Sequence, residues 1–291
     1  MADVQTDSRP RPRVRVGCQG WNYEDWVTPP GSARPVFYPR GTRADHMLDV
    51  YARAFDTVEV DSTFYAAPAD STYDAWARRT PDDFTFALKL PREITHEHAL
   101  RGPAAERALA AFCRGARRLG PKLAAVLVQL PPQFEATREN LRALSEFLPL
   151  LPGDVRFAVE FRDAFWFEEE LLVPLSLRPN VSLALVEGPW ATRERVWRAA
   201  APLLDTSEFA YVRWMGARDL TRFDEVVRPR DANLDRWAAA AERLRERGQT
   251  VYAYFSNFYE GHAPASANKL KRLLGETVVS PEDLEDQPSL F

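Results

Sequence analysis

The sequence predicts an α/β protein that folds as a single (β/α)8 barrel of the TIM type. Eight short apolar stretches alternate, in most intervals, with segments whose apolar residues recur at three- and four-residue spacing, the patterns of strands and amphipathic helices. The whole set occupies about 250 residues, the usual size of such a barrel. An open doubly wound sheet is the alternative, but no GxGxxG follows the first strand, and the eightfold count favours closure.

The predicted elements follow one another along the chain. The strands are 13–19, 57–63, 84–90, 124–130, 156–161, 181–186, 209–214 and 250–255. Helical spacing occurs at 44–55, 71–79, 104–120, 137–148 and 233–248, with a further helix expected within 191–204. Thr137 and Asn233 are the expected N-caps, and Gly120 and Gly248 are the expected C-terminal stops.

A single domain is expected, because no linker rich in Gly, Ser or charge interrupts these elements. The barrel should occupy residues 13–279. A flexible Arg/Pro arm is expected over residues 1–12, and an acidic flexible tail, too polar to pack and therefore extended, over residues 280–291.

Composition argues against several classes of protein. The formal net charge of −4, with 45% hydrophobic and 27% charged residues, is typical of a soluble globular protein and does not indicate nucleic-acid binding, although a local basic site is compatible with it. Cys18 and Cys113 form no CxxC pair, so a disulfide scaffold is not expected. The chain has neither an 18-residue apolar run nor an apolar signal segment, so we predict a cytoplasmic protein that spans no membrane.

Strand alternation places polar groups where a barrel keeps its chemistry. Side chains at every second position share one face, and the bulky apolar face should pack on the helices. The polar face then points into the barrel and ends at the C-terminal rim, where the loops after the strands converge. The residues so placed are Gln19, Glu59, Asp61, Lys89, Gln129, Glu160, Arg162 and Arg213.

These residue types suggest two roles. Glu59 and Glu160 could divide acid and base work, with Glu160 kept ionised by nearby Arg162. A phosphate or carboxylate could be bound by the set of Lys89, Arg162, Arg213, Gln129, Asp61 and Asn257, in which arginine offers bidentate contacts. The alternative is a purely structural ion network of Glu59, Lys89, Glu160 and Arg162.

The loops after the strands add titratable and aromatic groups. His96 and His262 could donate protons near neutral pH, or could instead bond loop backbone. Stacking surfaces for a sugar or a base are expected from the aromatic rim of Trp21, Tyr23, Phe64, Tyr65, Trp166 and Tyr259, although these rings could also simply cap the barrel.

No cofactor is predicted from a sequence motif. Glu59, Asp61 and Glu160 with one histidine would suit a hard divalent metal ion, but the chain has only four histidines and no HxxxH or HxE pairing. It also has no P-loop, no GxSxG elbow and no paired CxxC motifs.

Several separated motifs resemble those of the DUF72, or YecE-like, family. The runs are VGCQGWNYEDW, TVEVDSTFYAAP, FALKLPREITH, VEFRDAFW and YFSNFYEGHAPASA, which occur in this order between about Val14 and Leu274. The resemblance implies a TIM barrel and brings no established reaction. Cys18 stands where the family usually has Thr or Ser, and Asp61 stands where it commonly has Asn.

The chain ends in QPSLF, which resembles the peptide that binds the bacterial sliding clamp. Leu290 and Phe291 would fill an apolar pocket while Gln287 supplies a hydrogen bond. Alternatively, the last residues dock back onto the barrel, as terminal segments often do.

Three functional hypotheses follow. The first is an enzyme acting on DNA or nucleotide-derived substrates and recruited by a sliding clamp. The second is a cytosolic hydrolase, lyase or isomerase of a small anionic or sugar-like metabolite, and the third is a non-catalytic adaptor that binds an anionic ligand. Salt-steep nucleic-acid binding would favour the first, and stabilisation by a pocket-sized ligand would favour the second.

Overall fold

The computed structural model describes residues 13–285 and forms a closed barrel of eight parallel strands. Each strand pairs with the next, and the last strand pairs with the first. The predicted (β/α)8 architecture is therefore confirmed. The strands are β1 (Val14–Gln19), β2 (Thr57–Val60), β3 (Thr85–Lys89), β4 (Leu123–Gln129), β5 (Phe157–Glu160), β6 (Val181–Glu187), β7 (Phe209–Trp214) and β8 (Thr250–Phe255).

Helices connect the strands on the outside of the barrel. They are α1 (Met47–Ala54), α2 (Asp70–Arg78), α3 (Gly102–Ala116), α4 (Arg138–Phe147), α5 (Glu169–Ser176), α6 (Arg193–Leu204), α7 (Asp231–Glu246), α8 (Asn257–Glu260), α9 (Ala263–Leu273) and α10 (Pro281–Glu285). Every helix predicted from apolar spacing is present. Helices α5, α8 and α9 were not predicted, and α10 lies where an extended tail was expected. None of the helices in the described part of the chain is long and apolar enough to cross a membrane.

The core has two layers, as strand alternation predicts. Val58 and Val60 of β2 belong to the large cluster between the strands and the helices. Ala87, Leu127 and Ala158 belong to the smaller cluster inside the barrel. Because a strand turns alternate side chains to opposite faces, this division also sends the polar residue at the end of each inward face toward the barrel mouth. We use "barrel mouth" for the C-terminal strand ends and the loops that follow them.

One helix boundary differs from the sequence prediction, and two predicted stops agree with it. Asn233 lies inside α7, which begins at Asp231 with Arg230 in the cap position, because the Asn233 amide donates to Glu187 Oε1 (3.0 Å) instead of capping the helix. In α3 the α-helix gives way to a 3₁₀ turn after Ala116, but the helical backbone still breaks at Gly120, whose φ is 56°, so the predicted stop is confirmed. Gly248 follows the end of α7 with φ of 89°, so the predicted stop there is confirmed.

The expectation of an extended chain after Ser280 is wrong for the next five residues. Pro281–Glu285 form α10, which buries Leu284 against the body of the protein. Arg53 Nη2 donates to the Leu284 carbonyl at 3.3 Å. One apolar side chain in an acidic run is thus enough to seat a helical turn on the barrel. Residues 1–12 and 286–291 lie outside the described part of the chain.

The N-cap of α4 permits a direct stability test. The Thr137 hydroxyl accepts from the Asn140 backbone N–H at 3.2 Å, which confirms the predicted cap. We expect Thr137→Ala to lower the free energy of unfolding by about 1 kcal/mol, since an orphan N–H loses its acceptor. Urea denaturation would measure this. Thr137→Ser is the matched control and should retain most of the stability; an equal loss in both variants would exclude capping as the cause.

Candidate functional site

Six strand ends deliver polar side chains to the inside of the barrel mouth. In neighbouring strands Gln19 pairs with Glu59, and Gln129 pairs with Glu160. All of the residues predicted from alternation at these positions are buried; they are Gln19, Glu59, Lys89, Gln129, Glu160 and Arg213. The structure thus brings together the charged set that the sequence predicts, at the end of the barrel where the loops converge.

Arg213 joins the two glutamates across the barrel. Its Nε and Nη2 donate to the two oxygens of Glu59 at 2.9 and 2.7 Å, and its Nη1 donates to Glu160 Oε2. Tyr211, two residues earlier on β7, donates to Glu59 Oε2 at 2.7 Å. Arg213 is 1% exposed and both carboxylates are fully buried. A guanidinium so enclosed and paired is not available to a ligand, so the expected anion-binding role of Arg213 is replaced by a structural one.

Arg162 extends this assembly toward the surface. Its Nε donates to Glu160 Oε1 and its Nη2 donates to Gln129 Oε1, both at 2.9 Å. Its Nη1 makes no hydrogen bond to any described residue, and the side chain is 15% exposed. The Trp190 ring lies over the guanidinium at 4.9 Å. We call Glu59, Arg213, Glu160, Arg162 and Gln129 the buried network; Arg162 is its solvent-facing member.

The two glutamates differ in their electrostatic surroundings. Burial raises the pKa of Glu59, and this effect outweighs the opposing charge of Arg213. Burial would raise the pKa of Glu160 as well, but Arg213 and Arg162 together hold it below its usual value. Arg162 therefore acts on Glu160 in the predicted direction, but Arg213 has the larger effect. Both carboxylates are nevertheless occupied by arginine, so neither presents a free oxygen pair to a substrate.

Lys89 is the least satisfied charged group of the mouth. Its side chain is 10% exposed, and its only ion pair within residues 13–285 is to Asp61, with Nζ 3.8 Å from Oδ1. No described residue accepts a hydrogen bond from Nζ, and Asp61 Oδ1 is itself buried without a hydrogen-bond partner there. Burial lowers the pKa of Lys89, with Asp61 opposing and Arg213 reinforcing the effect.

The backbone around Lys89 is fixed by the loop after β2. The Thr63 hydroxyl donates to the Lys89 carbonyl at 2.7 Å, and the Lys89 N–H donates back to that hydroxyl at 3.0 Å. The Phe64 ring then lies 4.1 Å from Nζ. These contacts hold the lysine side chain between an aromatic face and a carboxylate.

His96 stands beside Lys89 on an irregular loop. Residues Glu93–Glu97 form a π-helical turn, and two non-glycine residues with positive φ follow it, Ala99 at 46° and Leu100 at 67°. His96 Nδ1 is hydrogen-bonded to the Thr95 hydroxyl at 2.8 Å, and its ring packs on Phe64. Burial, helped by the charges of Lys89 and Arg162, lowers the pKa of His96 to about 4. The imidazole is therefore neutral at pH 7.

His262 and Asn257 lie away from this set, among the aromatic residues around Trp26. Asn257 Oδ1 accepts from Trp26 Nε1 at 3.1 Å and from the Ala263 N–H at 3.0 Å, so Asn257 holds the start of α9, while its Nδ2 is buried without a partner among the described residues. His262 is 6% exposed and packs edge-on against Trp26. Burial lowers the pKa of His262 to about 4. A proton-donor role for His262 at neutral pH is therefore not supported.

The predicted aromatic rim divides into open and closed members. Tyr65 is 75% exposed, and Trp21, Tyr23 and Phe64 are half-buried. Trp166 is instead fully buried and stacked between Phe134 and Phe161, with its Nε1 donating to the Phe134 carbonyl at 2.7 Å.

Tyr259 is also fully buried, and its hydroxyl donates to Glu187 at 3.2 Å. The capping alternative therefore holds for Trp166 and Tyr259, since neither ring presents a face to the mouth.

Two open cavities flank the charged set. One of about 480 Å³ is lined by Trp21, Tyr23, Asp61 and Trp76 among others, and the second, of about 510 Å³, is lined by Thr137, Arg162, Asp163 and Phe165 among others. Asp61 and Arg162 thus each connect the mouth to a space large enough for a small molecule.

The donor set does not fit the divalent metal considered from the sequence. Within residues 13–285, no three side chains of His, Cys, Asp or Glu are arranged to hold a metal ion. Arginine occupies Glu59 and Glu160, and Lys89 faces Asp61. The carboxylates expected as ligands therefore already have cationic partners.

Two contributors to the site were not predicted. Tyr211 shares the inward phase of Arg213, so alternation alone could have identified it. Trp190 lies in the loop after β6 and covers Arg162; nothing in its sequence position predicts that contact. The predicted partner-binding residues Gln287, Leu290 and Phe291 lie outside the described residues.

Fold and mouth together define a (β/α)8-barrel protein with a charged C-terminal rim. The chain belongs to the family described as "Protein of unknown function DUF72", whose model matches residues 15–289. The resemblance seen in the sequence motifs is thereby confirmed.

Named relatives and solved structures agree with this assignment. UPF0759 protein YecE of Escherichia coli (strain K12) is 38% identical over 160 residues, 54% of this chain and 52% of YecE, so the chain spans about half the length of that relative. UPF0759 protein YunF of Bacillus subtilis (strain 168) is 26% identical over 286 residues, 90% of this chain and 94% of YunF. The crystal structure of a DUF72 family protein from Thermotoga maritima MSB8 is 25% identical, covers 91% of this chain and 100% of its own, and superposes with a TM-score of 0.71.

Proposed function

We propose that the barrel mouth is the active site of an enzyme for small organic anions. Arg162 binds the carboxylate or phosphate group of the substrate, and Lys89 and His96 transfer protons. One observation carries the proposal: a buried lysine amine reaches the mouth beside a neutral imidazole, and no described residue accepts a hydrogen bond from it. A buried ammonium with a purely structural role is normally surrounded by acceptors, because its desolvation is costly.

The acid–base work moves from the glutamates to Lys89 and His96. A proton-transfer group must be reachable by the substrate and must have a pKa near the working pH. Glu59 and Glu160 fail the first condition, because Arg213 and the barrel wall enclose them. Lys89 meets it, and its lowered pKa moves the amine toward neutral pH. His96 supplies a neutral imidazole whose Nε2 bonds no described residue.

Arg162 is the natural anion ligand of the mouth. The buried network fixes two of its nitrogens, and Nη1 is left for a ligand. A guanidinium held in one orientation loses little conformational entropy when it binds a planar carboxylate or a phosphate. Backbone strain beside His96, at Ala99 and Leu100, adds support, since such conformations cluster at functional sites.

The nucleic-acid hypothesis rests on different residues. Its sequence basis is the QPSLF peptide, which lies outside residues 13–285. Binding of a bacterial sliding clamp that is lost when QPSLF is deleted, together with salt-steep DNA binding, would favour that hypothesis over a small anionic metabolite.

The test of the proposal is anion binding by an Arg162 variant. We expect pyruvate or inorganic phosphate to raise the melting temperature of the wild type. Arg162→Met should weaken the affinity by about 10-fold or more, because a hydrogen bond to a charged group contributes about 1.5–3 kcal/mol. Isothermal titration calorimetry would measure the affinity.

Arg247→Met is the matched control for Arg162→Met. It removes the same charge from the far end of α7, where Arg247 forms an ion pair that is 63% and 68% exposed, and it should leave the affinity unchanged. An equal loss of anion affinity in both variants would mean that the effect comes only from the change in net charge, and it would contradict a site at Arg162. The absence of any anion-dependent shift in the wild type would contradict the proposed function itself.

A further inference from the structure

The four lysines of the chain differ in how their amines are satisfied. All four lie within the described residues. Lys122 is 8% exposed, and its Nζ donates to the Ala77 carbonyl at 2.6 Å, the Thr80 carbonyl at 2.7 Å and the Thr80 hydroxyl at 3.2 Å. Its three N–H groups therefore each have an acceptor, as a buried structural ammonium requires.

The other two lysines are also paired. Lys269 Nζ donates to Asp231 at 2.8 Å and to Glu260 at 3.0 Å, and Lys271 Nζ donates to the Ala54 carbonyl at 3.1 Å. Lys89 is as buried as Lys122, yet its Nζ donates to no described residue. Each of the other three lysine amines is held by at least one hydrogen bond. Lys89 can lose a proton and expose its lone pair without breaking a hydrogen bond to a described residue.

We propose that Lys89 forms a covalent imine with the carbonyl carbon of a substrate that also carries a carboxylate or phosphate group. The inference rests on the proposed function, because Arg162 is the group that binds the anionic end. A lysine becomes a nucleophile when it is desolvated or placed beside another cation. At the end of β3 burial is the largest effect on the pKa of Lys89 and lowers it; Asp61, Glu59 and Glu160 oppose the shift, and Arg213 adds to it.

The reaction needs no oxidant or reductant. The neutral Nζ bonds to the carbonyl carbon, and the electron pair of the C=O bond moves to oxygen, which takes a proton. The carbinolamine then loses water to leave a C=N bond, so amine and carbonyl give imine and water. His96 is placed to carry these protons, since its neutral ring packs on the same Phe64 that lies 4.1 Å from Nζ.

The surroundings also suit the product. A protonated imine carries its positive charge at the former Nζ, beside the Phe64 face and the carboxylate of Asp61. Asp61 Oδ1 is buried without a hydrogen-bond partner among the described residues, so a cationic N–H of the imine would give it one. The iminium withdraws electrons from the adjacent carbon, which suits the breaking of a neighbouring C–H or C–C bond.

The experiment is reductive trapping on the full chain. The protein is incubated at pH 7 with pyruvate, with glycolaldehyde phosphate or with neutral acetone, reduced with cyanoborohydride, digested and mapped by mass spectrometry. We expect Lys89 to be modified by the two anionic probes at least about 10-fold faster than Lys122, Lys269 or Lys271, which serve as internal controls in the same molecule. Lys89→Arg should abolish this modification.

A second measurement reads the amine itself and does not depend on the carbonyl probe. Competitive acetylation with acetic anhydride across pH should show Lys89 titrating below Lys269, because burial lowers the pKa of Lys89 whereas Asp231 and Glu260 raise that of Lys269. Titration of Lys89 together with Lys269, or trapping of Lys89 no faster than the other lysines with both anionic probes, would overturn the inference.

The trapping and anion-binding experiments together distinguish failure of the imine proposal from failure of the proposed function. Pyruvate that stabilises the protein through Arg162 but is not trapped on Lys89 overturns only the imine. Trapping on Lys89 that is equal for pyruvate and acetone, and unchanged in Arg162→Met, supports the imine and overturns the anion-binding role of Arg162.

Discussion

Replacing Arg213 by methionine should destabilise the protein by about 3–5 kcal/mol at pH 7, because it leaves two buried carboxylates without their shared cation. Glu59 and Glu160 are both fully buried, and Arg213 supplies three of the hydrogen bonds that they accept. Urea denaturation would measure the loss. The exposed pair of Arg247 provides the control: Arg247→Met should cost less than about 1 kcal/mol.

The stability deficit of Arg213→Met should depend on pH in a direction that the pKa shifts define. Burial already raises the pKa of Glu59 above its ordinary value, and loss of Arg213 removes the charge that opposes this shift, whereas Glu160 keeps its contact with Arg162. A raised folded-state pKa means that stability falls as the pH rises above the unfolded value. The deficit of Arg213→Met should therefore shrink as the pH falls from 7 to 5. A deficit below about 1 kcal/mol, or one independent of pH, would contradict a buried network.

A second substitution tests whether the stability lost in Arg213→Met comes from the unpaired carboxylates of the buried network. Glu59→Gln in the Arg213→Met background removes one of the stranded charges, so it should recover part of the stability. The same Glu59→Gln in the wild type should destabilise, since it leaves Arg213 with an excess positive charge. Coupling of this sign is expected only for residues in direct contact, and the two side chains are 2.7 Å apart.

The sequence was sufficient for the fold and for the inward-facing residues. A period of two decides the face of each strand residue, so Glu59, Lys89, Glu160 and Arg213 could be assigned to the barrel interior without knowing any contact. Closure of the barrel then brings those strand ends to one mouth.

The sequence could not reveal which charges pair with one another. Arg213 meets Glu59 and Glu160 from β7, and these partners lie 154 and 53 residues away in the chain. Such pairing depends on distances across the barrel, which periodicity does not contain. The sequence therefore predicted the same ligand-binding role for Arg213 and Lys89. In the structure Arg213 is hydrogen-bonded to both glutamates, whereas the amine of Lys89 donates to no described residue.

Loop residues were the least predictable part. Trp166 and Tyr259 follow strand ends as Phe64 and Tyr65 do, yet their loops fold back and bury the rings. His262 is another case, because only its packing on Trp26 shows that it is enclosed. No spacing rule separates a loop side chain that faces the mouth from one that packs under it, since loop conformation is set by tertiary contacts.

The enclosed His262 should make the stability of the wild type fall as the pH is lowered from 6.5 to 4. Burial lowers the pKa of His262 from its ordinary 6.5 to about 4, with the charge of Asp224 opposing the shift in part. A group with a lowered folded-state pKa contributes stability that is present above the unfolded pKa and is lost as the pH falls through the folded one. The shift corresponds to about 3 kcal/mol.

His262→Leu and His262→Gln should both remove this part of the pH dependence. Nε2 of His262 is buried without a partner among the described residues, so its replacement by an apolar group should cost little at pH 7. The two variants can differ from each other at pH 7 because leucine and glutamine differ in polarity. Between pH 6.5 and 4 both variants should nevertheless lose less stability than the wild type. The reduction should be the same in the two variants, since neither leucine nor glutamine titrates. Denaturant unfolding at several pH values would measure the slopes, and a wild-type slope in both variants would mean that His262 binds its proton as readily in the folded protein as in the unfolded chain.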